Sequence, residues 1–264
     1  MEKNSTKFVK IGEEIRIKDS MSCIDFEFEK DKIYNAKWDM YDEKFTFSEV
    51  SDFALPEKLY ITDEIDKFKN KVLKRFDVTK KGVVGVMLSG LKGAGKTIIA
   101  KYIAKEINKP IILLDSVTGN GMIKLFEAFS DVDACFIYDE FDKNLDKLTI
   151  KNMLKTMDGV NTVGKKLIIF TCNEESGISQ YFADRCSRIF YWKKFKEADP
   201  SMIKEVINDK LDDKSKVDDV LDYIINNFEC ISFDNIYSFA SEVNINPDDS
   251  LDDLFKDMNL SEKL

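Results

Sequence analysis

Three stretches of this sequence hold side chains whose types and spacing suit phosphate and magnesium chemistry. The first is Gly90-Leu91-Lys92-Gly93-Ala94-Gly95-Lys96-Thr97, which fits G-x-x-x-x-G-K-[ST]. Glycines let a backbone curl until successive N–H groups point inward at phosphate oxygens. A helix opening near Gly95 would add the positive end of its dipole. The Lys96 ammonium could then reach the β- and γ-phosphates and the Thr97 hydroxyl could ligate Mg²⁺. The second stretch, Ala134-Cys135-Phe136-Ile137-Tyr138-Asp139-Glu140, is an apolar run ending in two carboxylates. Asp139 would hold the magnesium shell, directly or through water, and Glu140 would orient and deprotonate an attacking water. Acids at strand ends are common and also serve simply as solvent-facing groups. The third, Leu167-Ile168-Ile169-Phe170-Thr171-Cys172-Asn173, ends in an amide. Asn173 could bond a γ-phosphate or the lytic water; an isolated Asn there is otherwise a turn former.

Composition narrows the chemistry further. The chain has 264 residues and no histidine, which excludes Ser-His-Asp and Cys-His triads and His-ligated zinc or iron. Its five cysteines, Cys23, Cys135, Cys172, Cys186 and Cys230, are far apart with no CxxC pair, so a metal cluster or disulfide framework is not expected. A reducing, cytoplasmic setting fits that usage. There is no apolar run near the length of a membrane span, and the N-terminus MEKNSTKFVK lacks the apolar core of a secretion signal. The formal charge is −9, yet residues 196–264 alone carry a net −11, with no arginine. That acidic third argues against a broad duplex-DNA footprint there, and a solvated helical surface is its plain reading.

Elements that would position these groups follow from the apolar patterning. Residues 8–50 alternate with period two, as in Ile24, Phe26 and Phe28 or Phe45 and Phe47, and predict short antiparallel strands. After an extended connection around Pro56, an amphipathic helix is expected over about 62–76, with Asp63 and Glu64 in its first turn. From 83 onward, the runs Val83–Leu88, Ile111–Leu114, Ala134–Tyr138 and Leu167–Phe170 alternate with helical stretches near 96–107, 121–129 and 149–157. Runs apolar on both faces predict a buried parallel sheet with helices on both faces, an α/β fold. Arg188–Trp192 would add a fifth strand. Residues 199–264 carry four helix-period stripes, with Asp199-Pro200 and Ser232 as helix starts. The resulting division is an N-terminal β segment over 1–58, a nucleotide-binding α/β domain over 59–195, and a small C-terminal helical lid over 196–264.

The order GLKGAGKT, IYDE, LIIFTCN, then Arg185 and Arg188 spaced R-x-x-R, resembles the AAA ATPases, a family within the P-loop NTPases. The segment from Leu148 through Met157-Asp158-Gly159-Val160 resembles that family's stretch between the acidic strand and the Asn-bearing strand. The short span between Asp115 and the acidic strand is most similar to the group of mitochondrial respiratory-complex assembly ATPases, which carry a membrane anchor not seen in this chain. The resemblance implies ATP and Mg²⁺ as ligands and a homo-oligomeric ring, commonly of six subunits, with each nucleotide held between neighbours. Arg185, and with it Arg188, would be fingers reaching into the adjacent subunit's site, although Cys186-Ser187 replaces the family's usual Pro-Gly between them. Read without the resemblance, they are two surface arginines in a loop. In remodelling relatives a loop after the second strand lines the pore, often with an aromatic residue and a glycine. Ser116–Met122 occupies that place, with glycines and Met122 but no aromatic, and reads equally as a flexible connection.

Three functions are consistent with these features. One is a Mg²⁺-dependent ATPase that hydrolyses ATP to ADP and phosphate in a ring and remodels a macromolecular client, more readily protein than nucleic acid. Another is an accessory ATPase of replication or recombination, disfavoured by the acidic lid and its missing arginine. The last is a nucleotide-gated binding module without hydrolysis, which Glu140 argues against.

Overall fold

The computed structural model describes residues 8–11, 14–17, 25–53, 55–144, 147–158, 163–173, 179–182 and 187–263. The period-two stretches near the N-terminus form β1 (Phe8–Ile11), β2 (Glu14–Ile17), β3 (Asp25–Phe26), β4 (Ile33–Asp39) and β5 (Lys44–Val50). The helix-period stretch after them is α1 (Asp63–Val78). Its N-cap Thr62 accepts a bond from the Ile65 N–H, and Asp63, Glu64 and Asp66 lie in its positive first turn. Then come β6 (Gly82–Gly90), α2 (Lys96–Lys105), β7 (Ile111–Ser116), α3 (Asn120–Ala128), β8 (Ala134–Tyr138), α4 (Lys147–Met157), β9 (Lys165–Cys172), the short α5 (Ser179–Phe182) and β10 (Tyr191–Phe195). The acidic tail forms α6 (Pro200–Lys210), α7 (Val217–Asn227), α8 (Phe233–Ile245) and α9 (Leu251–Asp257).

The ten strands among the described residues belong to one sheet, in the order β10-β6-β9-β8-β7-β4-β5-β2-β1-β3. Its centre, β6-β9-β8-β7, is parallel, and β8 and the core of β9 are wholly buried, which is why their sequences are apolar on both faces. Parallel pairing aligns the strand ends: Ser89 lies beside Cys172, and Tyr138 beside Phe170. The residues that follow β8 and β9, and Ser89 before the glycine-rich loop, therefore share the carboxyl edge of the sheet, where open α/β sheets bind ligands.

The N-terminal strands extend this same sheet. β4 runs parallel to β7, with Ile33 opposite Ile111, and β5 then returns antiparallel to β4. Their aromatic side chains complete the core rather than forming one of their own. The Phe129 ring, just past α3, packs 4.9 Å from Phe8, 5.0 Å from Phe28 and 5.9 Å from Phe47. Trp38 of β4 lies so close to α3 that a Cβ on Gly121 would come within 2.7 Å of its ring. The expected Ile24 contribution falls outside the described residues. The fifth strand of the α/β part, β10, starts three residues later than the apolar run suggests, because Ile189 is buried in the core and the Phe190 N–H bonds Gly85 O at 2.8 Å.

Two compact units partition the chain. One comprises 1–89 with 97–193, and so joins the N-terminal strands to most of the α/β layer. The other comprises 90–96 with 194–264. Within the second, α6 packs on α7 and α8, around buried Val206, Ile207, Val220, Ile224 and Phe239. Asp199, Ser232 and Ser250 cap α6, α8 and α9 with side-chain oxygens.

Gly121 offers a check on how α3 is seated. In an open helical site Gly→Ala would stabilise by up to about 1 kcal/mol through helix propensity. Here the methyl meets an aromatic ring with no flexible end to move, and overpacking costs about 1–3 kcal/mol. Gly121→Ala should therefore lower the urea midpoint and alter the near-ultraviolet signal of Trp38. An unchanged midpoint would mean that α3 and β4 are not in contact.

Candidate functional site

The glycine-rich loop turns on backbone conformations that side chains rarely permit. Gly90, Gly93 and Gly95 have φ of +120°, +76° and +82°. Space is equally restrictive at Gly90, where a Cβ would lie 2.0 Å from the Phe195 carbonyl oxygen. Within its own compact unit the loop is held by backbone bonds: the Leu91 N–H donates to Phe195 O at 3.3 Å, and the Phe233 N–H donates to Gly93 O at 3.1 Å. Leu91, Lys92 and Ala94 fill the turn between the glycines, with Ala94 buried. Lys96 is 6% exposed, and its ammonium donates to the carbonyl oxygens of Gly90 at 2.8 Å and Leu91 at 2.6 Å. The loop thus carries a buried cation over its own turn at the head of α2, where the helix dipole is positive.

The next residue, Thr97, joins the other compact unit and meets the acidic strand end. Its Oγ1 lies 2.8 Å from Asp139 Oδ1 and 3.0 Å from Oδ2. A second hydroxyl reaches the same carboxylate: Thr171 Oγ1 donates to Asp139 Oδ1 at 2.5 Å. Sequence reasoning did not single out Thr171. The signal for it was a polar residue inside the apolar run of β9, at a position 1% exposed. Glu140 follows with φ +46°, a left-handed conformation uncommon outside glycine, and its N–H donates to Thr171 Oγ1 at 2.9 Å. Its carboxylate accepts from Lys143 Nζ at 2.5 Å, and that bond holds the lysine's pKa above its ordinary value.

Asn173 stands at the end of β9, half-buried, and its N–H donates to Asp142 Oδ2 at 3.1 Å. The structure therefore gathers Thr97, Asp139, Glu140 and the Asn173 backbone around one end of the β8–β9 pair. Arg188 is placed elsewhere. Its guanidinium makes a two-pronged pair with Asp158, 2.9 Å at each prong, and a third bond of 3.0 Å to the Tyr181 carbonyl. That pairing raises its pKa further. Three of its five N–H donors are thus taken within its own chain, on the wall of a cavity of about 310 Å³ shared with Ile150, Lys151, Leu154 and Lys155. Arg185 lies outside the described residues.

Residues 117–122 are partly packed into the core. Met122 and Val117 are fully buried, and Gly121 and Met122 already belong to α3. Two buried polar residues of α4 clamp the turn before them. Thr149 Oγ1 accepts the Gly119 N–H at 2.7 Å, and Asn152 Nδ2 donates to Gly119 O at 3.1 Å. Neither was anticipated, although their i, i+3 spacing puts both on one helix face, where an apolar stripe would be the default.

The donor set suits magnesium. A threonine hydroxyl oxygen and a carboxylate within 3.0 Å of each other offer hard oxygen ligands, and magnesium takes one or two such protein oxygens beside phosphate and water.

Comparison with known proteins bears on the family and the fold. Residues 86–194 match the family described as "ATPase family associated with various cellular activities (AAA)". A "Putative cell division cycle ATPase" of Plasmodium falciparum is 30% identical over 36% of this chain. The chain spans only 9% of that relative's length. Among solved structures, "Crystal structure of FIGL-1 AAA domain in complex with ADP" superposes with a TM-score of 0.54, covering 75% of each chain at 17% identity. The fold is thus that of an AAA domain: a mixed α/β sheet flanked by helices. No helix among the described residues is long and apolar enough to cross a membrane.

Proposed function

We propose, from the match of residues 86–194 to the AAA family model and from the AAA-domain fold, that the protein binds ATP with Mg²⁺ and hydrolyses it to ADP and phosphate. The observation that carries this reading is the bond between Thr97 and Asp139, which joins the residue closing the phosphate loop to the acid ending β8. Residues 90–96 supply inward amides and the Lys96 ammonium for the phosphates. Thr97 and Asp139 would hold the metal, which when bound screens charge between the phosphates. Glu140 takes the proton of the attacking water, once its carboxylate leaves Lys143. Asn173 orients that water or the γ-phosphate.

The finer parts of the reading rest on resemblance and charge. A ring, commonly of six copies, would place Arg185 in a neighbour's site, where a guanidinium stabilises transferred charge. Arg188 would serve beside it as a second finger once released from Asp158. Remodelling of a protein client fits the acidic C-terminal helices better than work on nucleic acid does, since a surface of net −11 repels phosphates. Likeness to the respiratory-complex assembly group rests on the short span after Asp115 alone. A cytoplasmic setting suits Cys135, Cys172 and Cys230, which form no disulfide among the described residues.

Two outcomes are expected. Lys96→Ala should abolish binding of a fluorescent ATP analogue, while Glu140→Gln should keep binding and stop phosphate release. Undiminished turnover by Glu140→Gln would remove the hydrolytic mechanism. Specific activity should also rise with protein concentration, and mixing Arg185→Ala with Lys96→Ala subunits should restore part of the lost hydrolysis. Full activity in a strictly monomeric sample would refute a shared site.

A further inference from the structure

We infer that Thr171 is a positioning residue for the proposed hydrolysis, a single hydroxyl that sets both acids at once. A threonine hydroxyl has one proton to give and two lone pairs to offer. Here the proton goes to Asp139 Oδ1 at 2.5 Å, the short distance typical of an O–H bond to a carboxylate. A lone pair takes the Glu140 N–H at 2.9 Å. One oxygen is thus bonded to the side chain of the first acid and to the backbone of the second.

That oxygen is itself fixed. Thr171 is 1% exposed and sits in the β9 ladder opposite Leu88, one residue beyond the Tyr138–Phe170 pair. Rigid strands hold a positioned group more closely than loops do. The two bonds do separate jobs. The first holds the Asp139 carboxylate so that its remaining oxygen surface faces Thr97, whose hydroxyl spans both Asp139 oxygens at 2.8 and 3.0 Å. The second pins the peptide before Glu140, where φ is +46°, and so sets the direction in which the Glu140 side chain leaves the sheet edge. A non-glycine residue keeps such a backbone only where its surroundings over-determine it. Without the hydroxyl, Asp139 loses a donor on the oxygen facing β9, and the Glu140 N–H loses its acceptor. The acids would remain present, but misplaced for metal and water.

This inference rests on the hydrolytic reading above, and its test is built to separate the two. In the full chain, steady-state ATP hydrolysis is measured against ATP and Mg²⁺, with ADP affinity measured in EDTA and in Mg²⁺. Thr171→Val keeps the shape and removes the hydroxyl. It should lower kcat and weaken the Mg²⁺ dependence roughly 10–100-fold, the usual cost of losing a group that holds a metal ligand. ADP affinity in EDTA should stay within about twofold, because the phosphate loop is untouched. Thr171→Ser restores the hydroxyl and should recover kcat to within about threefold of wild type. A merely structural role would move the melting point without this split between metal-dependent and metal-independent terms. If Thr171→Val does not fold, Thr171→Ala against Thr171→Ser gives the same contrast. Wild-type kcat and Mg²⁺ dependence in Thr171→Val, or equal impairment in Thr171→Ser, would overturn the inference. If instead wild type and Glu140→Gln hydrolyse alike, the hydrolytic reading fails. The Mg²⁺ dependence of ADP affinity then decides the role of Thr171, an unchanged value in Thr171→Val overturning it.

Discussion

The site is organised by the Asp139 carboxylate, which accepts hydroxyl protons from two directions. Thr97 approaches from the head of α2 and Thr171 from β9, so three elements that are distant in sequence meet at one charged group. A carboxylate at a sheet edge is costly to leave half-satisfied and is steadied by each donor it gains. Because β6, β8 and β9 run parallel and in register, their carboxyl ends fall at one level, and the donors arrive without any long loop to place them. The parallel sheet is what brings Thr97, Asp139 and Thr171 together.

The same economy explains the strained residues. Positive φ at Gly90, Gly93 and Gly95 is easy for glycine and is where the chain curls. Positive φ at Glu140 is not easy, and it occurs where a backbone N–H finds Thr171 rather than a ladder partner. Strain of that kind is commonly kept at sites where geometry matters more than stability. Away from the site, further polar groups serve as clamps. Thr149 and Asn152 fasten the turn after β7, and Asp158 with the Tyr181 carbonyl takes up the Arg188 guanidinium.

Much of this was legible in the residues, because its signals are local. A strand apolar on both faces, the glycine-lysine-threonine loop and the acidic pair each announce themselves within ten residues, and the helices of the acidic tail follow from their stripes and caps. What was not legible depended on pairing between distant strands. Nothing in the spacing of Ile33 or Trp38 says that β4 will run beside β7 and join the N-terminal strands to the α/β layer. Nothing in the run Leu167–Asn173 singles out Thr171, because its partners lie 31 and 32 positions away. Met122 looked available to a pore, and only the packing of α3 on Trp38 and its neighbours shows that it is core. Arg188 reads from the sequence as a finger or as a surface arginine, and its pairing with Asp158 comes only from the fold.

The central proposal is that Thr97 and Asp139 hold the metal that accompanies a bound nucleotide. It is tested most directly by isothermal titration of ADP into the full chain, in Mg²⁺ and in EDTA, for wild type and Asp139→Asn. The account predicts binding in both buffers for wild type, tighter with Mg²⁺, and loss of that gain alone in Asp139→Asn. No binding in either buffer, or an undiminished Mg²⁺ gain without the Asp139 charge, would contradict it.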